Sequence, residues 1–180
     1  VHADNCTACP IGSACSTGSR DHTLCAPGTF NPNMSATVCP KCAAGSYQEA
    51  EGATTCDTCR EGYYCTAGAS AALPCPGGTH KNVSLDVMTS VDQCVICPEG
   101  TFCSVGSALP TLCAPGTYND GPGNETCAYC KPGTYQNEPG MTSCKPCEDG
   151  CYCAEGAAAA LPCPGGTHQN TSLPVMTSVD

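Results

Sequence analysis

The chain has no Trp and only two Phe, and Leu, Val, Ile and Phe together make up 20 of its 180 residues. So few bulky apolar side chains do not fill the interior of one globule of this length. The same shortage weighs against an enzyme, whose pocket needs rigid apolar walls. Cations are scarce too: 6 Lys and Arg stand against 16 Asp and Glu, a net charge of −10. A nucleic-acid partner, which demands clustered Lys and Arg on phosphates, is thereby excluded. No apolar run approaches the ~18 residues of a membrane-spanning helix, so no span is expected in this segment. The first residues, Val1 to Asp4, are neither an initiator Met nor a signal peptide, as expected of a processed chain or a section of a longer protein.

A composition this acidic and this poor in core-formers reads as disordered unless something other than burial restricts the chain. The chain supplies that restriction as 21 Cys, alongside 20 Gly and 16 Pro. Crosslinks then take over the role of a core. Laid on itself with a shift of 88 residues, the chain matches without gaps at 50 of 92 positions. All ten cysteines of the first copy find partners in the second, and Leu73-Pro-Cys-Pro-Gly-Gly-Thr-His80 recurs as residues 161–168. Such fidelity means one unit stacked on a copy of itself. The expected division is residues 1–93 and 94–180, with the second repeat incomplete at its C-terminal end.

A shorter pattern runs inside each copy: C-x2-C-x5-C-x9-C at 6/9/15/25, 56/59/65/75, 94/97/103/113 and 144/147/153/163, with C-x2-C pairs at 39/42 and 127/130 between. Turn-and-strand segments such as Cys25-Ala-Pro-Gly-Thr-Phe30 and Cys130-Lys-Pro-Gly-Thr-Tyr135 follow many of the cysteines. Pro fixes φ, Gly accepts φ > 0, and Thr-Tyr suits a short strand. The fold class expected is therefore small disulfide-rich repeats: an elongated rod of short β-hairpins and turns with little regular secondary structure and no large core. The Ala-rich stretches 69–72 and 157–160 have room for one helical turn before Pro74 and Pro162 stop it.

The runs Cys113-Ala-Pro-Gly-Thr-Tyr118 through Cys127-Ala-Tyr-Cys130, and Cys56-Asp-Thr-Cys-Arg-Glu-Gly-Tyr-Tyr-Cys65, resemble the ephrin-receptor-like cysteine-rich repeat family, in the style of growth-factor and tumour-necrosis-factor receptor ectodomains. The resemblance covers nearly the whole chain. It implies an extracellular, elongated, multi-repeat protein, and it leaves receptor, adhesin and structural roles open.

The six C-x2-C pairs admit zinc or disulfides. Single cysteines between the pairs, in a chain carrying N-glycosylation sequons, favour disulfides and a secreted or surface location. The simplest connectivity links sequence neighbours: Cys25–Cys39, Cys42–Cys56, Cys75–Cys94, Cys113–Cys127 and Cys130–Cys144, with small loops Cys9–Cys15, Cys59–Cys65, Cys97–Cys103 and Cys147–Cys153. Cys59, Cys65, Cys75 and Cys94 alone admit three pairings. Cys6 and Cys163 remain over. Cys75 reaches Cys94 across 19 residues, and Cys163 plus 19 falls two positions beyond the end, where Cys6 also falls after two periods. The two are candidates for bonds to neighbouring repeats or copies of the chain. Cys151, whose counterpart in the first copy is Tyr63, is a third candidate, for an interchain bond, a local exchange of partners or a free thiol.

Five Asn-x-Ser/Thr sequons lie at Asn5, Asn33, Asn82, Asn124 and Asn170, and N-linked glycans are expected first at Asn82 and Asn170, which are 88 apart. No cofactor is expected. The stretch 119–125 offers oxygen ligands for at most weak Ca²⁺ binding, without the spacing of an EF-hand. His80 and His168 recur in register because the whole unit does. No nucleophile motif, zinc-protease helix or phosphate loop is present. The function expected is structural: a subunit or shaft of a glycosylated, disulfide-held rod or filament at the cell surface. The alternative is a ligand-binding receptor or adhesin ectodomain, with its contacts sought in the most diverged loops, 31–38 and 119–126.

Overall fold

The structure, a computed structural model, describes residues 6–170, 172 and 176–178. Among these residues it is a series of two-residue strands paired antiparallel. In chain order the pairs are β1 (Ser13–Ala14) with β2 (Thr23–Leu24), β3 (Ser46–Tyr47) with β4 (Asp57–Thr58), β5 (Tyr63–Tyr64) with β6 (Leu73–Pro74), and β7 (Thr79–His80) with β8 (Val95–Ile96). Then follow β9 (Thr101–Phe102) with β10 (Thr111–Leu112), β11 (Thr117–Tyr118) with β12 (Ala128–Tyr129), β13 (Thr134–Tyr135) with β14 (Lys145–Pro146), and β15 (Cys151–Tyr152) with β16 (Leu161–Pro162). The segment starting at Cys25 contributes a single bridge, Thr29 to Lys41, in place of a full pair. The only helix among the described residues is a 3₁₀ turn at Val91–Gln93.

Each hairpin opens on the same four residues, Cys-x-x-Gly, from Cys9 to Cys163. These segments, here called rungs, start 16 or 17 residues apart except for one step of 22, and five of them make the 88-residue unit. The turn glycine is obligatory at Gly100: φ is +71°, and an added Cβ would meet the carbonyl oxygen of Gly140. A Ser or Thr follows most of these glycines, and its hydroxyl closes the turn by donating three residues back. Thr29 donates to Ala26 O at 2.7 Å, and Thr134 donates to Lys131 O at 2.7 Å.

Rungs are tied by backbone as well as sulfur. The Cys N–H of each new rung donates to the glycine carbonyl of the one before, as from Cys25 to Gly12 at 2.9 Å and from Cys130 to Gly116 at 2.9 Å. The glycine N–H then donates forward, as from Gly28 to Gln48 O at 2.7 Å and from Gly116 to Gln136 O at 2.7 Å. A two-residue hairpin is unstable alone. Stacking on a neighbour and closure by a disulfide supply what the strand length does not.

The buried interior is mostly sulfur. Cys25, Cys42, Cys65, Cys75, Cys97, Cys103, Cys113, Cys130 and Cys153 are nearly or fully inaccessible, whereas Leu24, Ile96, Leu112 and Leu161 are exposed. The largest fully buried side chain among the described residues is Met88, in the long loop between Cys75 and Cys94. Its sulfur accepts the Asn82 N–H at 3.5 Å, and its carbonyl accepts the Cys65 N–H at 3.0 Å. Met176 repeats both contacts with Asn170 and Cys153.

One expectation needs adjustment. The Ala-rich stretches form no helical turn. Gly68 and Gly156 take positive φ, and Ala69 and Ala157 then run parallel to Tyr47 and Tyr135 as single bridges, an extended path incompatible with a helix. The chain divides into two compact units. One unit is Val1–Cys75 with Lys81–Cys94, and the other is Pro76–His80 with Val95–Asp180. The pairing of β7 with β8 across the Cys75–Cys94 loop draws residues 76–80 into the second unit.

Candidate functional site

The cysteines come first, because they carry the reactive chemistry. The structure joins Cys9–Cys15, Cys59–Cys65, Cys97–Cys103 and Cys147–Cys153 at a sequence separation of 6. It joins Cys25–Cys39, Cys42–Cys56, Cys113–Cys127 and Cys130–Cys144 at a separation of 14, and Cys75–Cys94 at 19. The Cα separations run from 5.6 to 6.0 Å, within the range a disulfide needs. Each bond links consecutive cysteines, except that Cys147–Cys153 passes over Cys151, so no rung depends on a cysteine far away in sequence. Disulfides in this number belong to an oxidising environment.

Three thiols are left: Cys6 exposed, Cys151 and Cys163 half-buried. Cys163 follows β16 and donates its N–H to Gly150 O at 3.0 Å. Its equivalent Cys75 sits in the same backbone position but is bonded to Cys94. Cys151 lies in β15, at the place where neighbouring rungs carry Thr or Ser. Its N–H donates to Glu148 O at 3.1 Å, so the turn closes through backbone alone.

The Cys151 rung differs from its counterpart in a second way. In the first unit Arg60 lies 5.8 Å from the ring centroids of both Tyr47 and Tyr63. It donates from Nε to Tyr47 Oη at 3.3 Å and from Nη2 to Glu49 at 3.4 Å. The hydrogen bond to Tyr47 raises the guanidinium pKa above its ordinary value, with Glu49 adding to it. In the second unit the residue equivalent to Arg60 is Glu148, which accepts the Tyr135 hydroxyl at 2.9 Å. That bond holds the Tyr135 pKa above the usual phenol value, with lesser contributions from burial and from the charge of Glu148.

Of the sequons, Asn33 and Asn170 are exposed, Asn82 and Asn124 are half-buried, and Asn5 lies outside the described residues. Asn82 Oδ1 accepts the Ser84 N–H at 3.0 Å, and Asn170 Oδ1 accepts the Ser172 N–H at 3.0 Å. Both side chains thus leave the amide nitrogen, the atom a glycan modifies, turned away from that turn. Asn124 Nδ2 instead donates to Gly121 O at 2.8 Å.

In the stretch 119–125 the asparagine amides are spent internally, while Asp120 and Glu125 are exposed. Asn119 is only 4% exposed, and its Nδ2 donates to Thr101 O at 2.8 Å and Thr126 O at 3.1 Å. Asn31 does the same for Ser13 O and Asn33 O at 2.7 and 2.8 Å. These amides are staples between rungs, a role the sequence signalled only by an Asn or Gln after each of Phe30, Tyr47, Tyr118 and Tyr135. Among the described residues no group of three or more His, Cys, Asp or Glu is placed to hold a metal ion, and no helix is long and apolar enough to cross a membrane. His80 is buried and His168 exposed, so the two equivalent histidines do not share an environment.

No model of a known protein family matches the chain, and no curated protein matches it.

Proposed function

We propose that the protein is a structural extracellular repeat protein: a subunit or shaft of a glycosylated cell-surface rod or filament, of the ephrin-receptor-like kind and without enzymatic activity. The observation that carries this reading is the recurrence of one kind of contact at every step. Each rung holds the next through the same Cys-to-Gly backbone bond, and every rung from Cys9 to Cys147 opens on a cysteine bonded to a later one. Extending such a ladder needs no new kind of contact, which is what a shaft requires. Resistance to pulling and to proteolysis then comes from covalent loops, since the interior is cysteine rather than packed aliphatic side chains. The thiols of Cys6 and Cys163 are the natural links to neighbouring repeats or copies, Cys151 is a lateral link, and glycans on Asn82 and Asn170 shield the long loop of each repeat.

Electron microscopy of the native material tests this. Long fibres with a regular axial step support the reading, and isolated short particles overturn it.

The receptor or adhesin reading has one observation in its favour. In the loop 31–38, Met34 and Val38 are 69% and 70% exposed, beside the sequon at Asn33. The equivalent loop 119–126 carries no large apolar residue. A ligand-binding function would use this apolar loop, and exchanging loop 31–38 for 119–126 would abolish it.

A further inference from the structure

We propose that the face around Tyr47 in the first unit and the face around Tyr135 in the second are the two halves of a self-association contact, in which the first unit of one chain docks on the second unit of another copy. The proposal deepens the assembly reading above and rests on it. Both faces are built on the same scaffold. Tyr47 stands opposite Asp57 in the β3–β4 pair, and Tyr135 stands opposite Lys145 in the β13–β14 pair. At the hydroxyl end of each ring lies Arg60 or Glu148, touching the tyrosine hydroxyl. The first face therefore reads acid, tyrosine, cation, and the second reads cation, tyrosine, acid.

Across the whole 88-residue alignment, charge changes sign at two positions only, 57/145 and 60/148. Both fall beside this one aromatic. Each face keeps a net charge of zero over the two positions, so the exchange does nothing for solubility; it changes only the order of the charges. Opposed order makes unlike faces complementary when they dock in the same register, where like faces would set like charges against each other; like faces are complementary only when one is turned end for end. All four side chains are exposed. Within the chain the ion pairs of the two cations are open surface contacts, Arg60 to Glu49 at 3.4 Å and Lys145 to Glu138 at 3.6 Å, of the kind that gives way readily to a better partner; Arg60 and Glu148 keep their bonds to the tyrosine hydroxyls, and Lys145 also donates to Asn137 Oδ1 at 2.8 Å.

A third difference has the same sense. Lys41 lies along Gly68, beside the Ala69 that bridges Tyr47, whereas its equivalent Tyr129 lies along Gly156, beside the Ala157 that bridges Tyr135. A cation on one face thus matches an exposed aromatic on the other. Every chain carries both halves, so the contact can repeat from copy to copy, as an extending assembly requires.

Sedimentation velocity on the oxidised chain tests this. Wild type self-associates at low salt, and the association falls as salt rises. Asp57→Lys with Arg60→Glu, which gives both units the same charge order, weakens it by about tenfold or more. Adding Lys145→Asp with Glu148→Arg to that variant restores it. A wild type that stays monomeric at low salt overturns the proposal, as does a first variant within about twofold of wild type or a failed restoration. Disulfide mapping checks that each variant folds. Should the charge-reversed variant fold badly, Asp57→Asn with Arg60→Gln decides in its place, with the same loss expected. Native fibres that ignore the charge exchange would sink this contact and leave the structural reading standing. Isolated native particles whose weak association follows the exchange would do the opposite.

Discussion

The rung from Cys42 to Cys59 and its counterpart from Cys130 to Cys147 both close a disulfide of separation 14, both turn on a positive-φ glycine, and both end on a Cys N–H donated to that glycine's carbonyl. On the outside they part company. Arg60 packs against two tyrosines in one, whereas in the other Glu148 holds one tyrosine hydroxyl and the second ring is replaced by Cys151. A ladder held by backbone and sulfur sets strict terms for the Cys and Gly positions and almost none for the side chains between them. Surface chemistry can therefore diverge, even to reversed charge, while the framework stays fixed.

The first way to break the comparison is to remove the shared part. Replacing Cys42 and Cys56 by Ser, or Cys130 and Cys144, deletes a loop crosslink worth about 3 kcal/mol in either unit. Thermal unfolding of the two variants should agree closely. A large difference would show that the surface around Arg60 carries stability after all.

Next comes the turn glycine. Gly100→Ala suffers the left-handed penalty of about 1–2 kcal/mol plus a clash with Gly140 worth about 1–3 kcal/mol. Gly150→Ala has the same φ penalty but no described atom within 4 Å of the new Cβ. Denaturant midpoints should rank Gly100→Ala well below Gly150→Ala.

The amide staples give a third, smaller contrast. Asn119→Ala leaves the buried Thr101 carbonyl without its donor and removes the bond to Thr126 O, at about 1–3 kcal/mol. Gln48→Ala, at a more open position, loses the bond to Thr55 O for about 0.5–1 kcal/mol. Hydrogen exchange of the two loops reads both effects.

The fourth test addresses the diverged surface. The Tyr135 pKa is raised in the folded chain, so the bond to Glu148 contributes fully below the ordinary phenol pKa and is lost as pH climbs through the raised one. Glu148→Gln should move the Tyr135 titration, followed by NMR of the ring carbon, back down toward about 10. An unmoved midpoint would mean that another group sets it. The smallest effect is expected from Cys151→Thr. It restores the hydroxyl-to-carbonyl turn bond seen at Thr134 and should raise the unfolding midpoint by the equivalent of about 0.5–1 kcal/mol.

Much of this was legible in the residues, because cysteine spacing and turn chemistry are local. Cys25-Ala-Pro-Gly-Thr-Phe30 announces a turn and a short strand, and a cysteine 14 residues on supplies its closure. What escaped depends on contacts between rungs. Nothing local says that the Asn119 side chain reaches Thr101, 18 residues back, or that Met88 is buried in the loop after Cys75. The Ala-rich stretches misled for the same reason. Their propensity favours a helical turn, but the neighbouring tyrosine offers an extended partner, and tertiary context overrides propensity. The charged faces lay in plain view as two sign changes, but only the strand register brings them to one ring.

The central claim is that sulfur bridges, rather than an apolar interior, hold the chain in its fold. Limited proteolysis of the oxidised chain, alongside the chain after full reduction and alkylation, tests it most directly. The account predicts a resistant band before reduction and rapid, complete digestion after it. A reduced chain that still resists the protease at the same sites would contradict it.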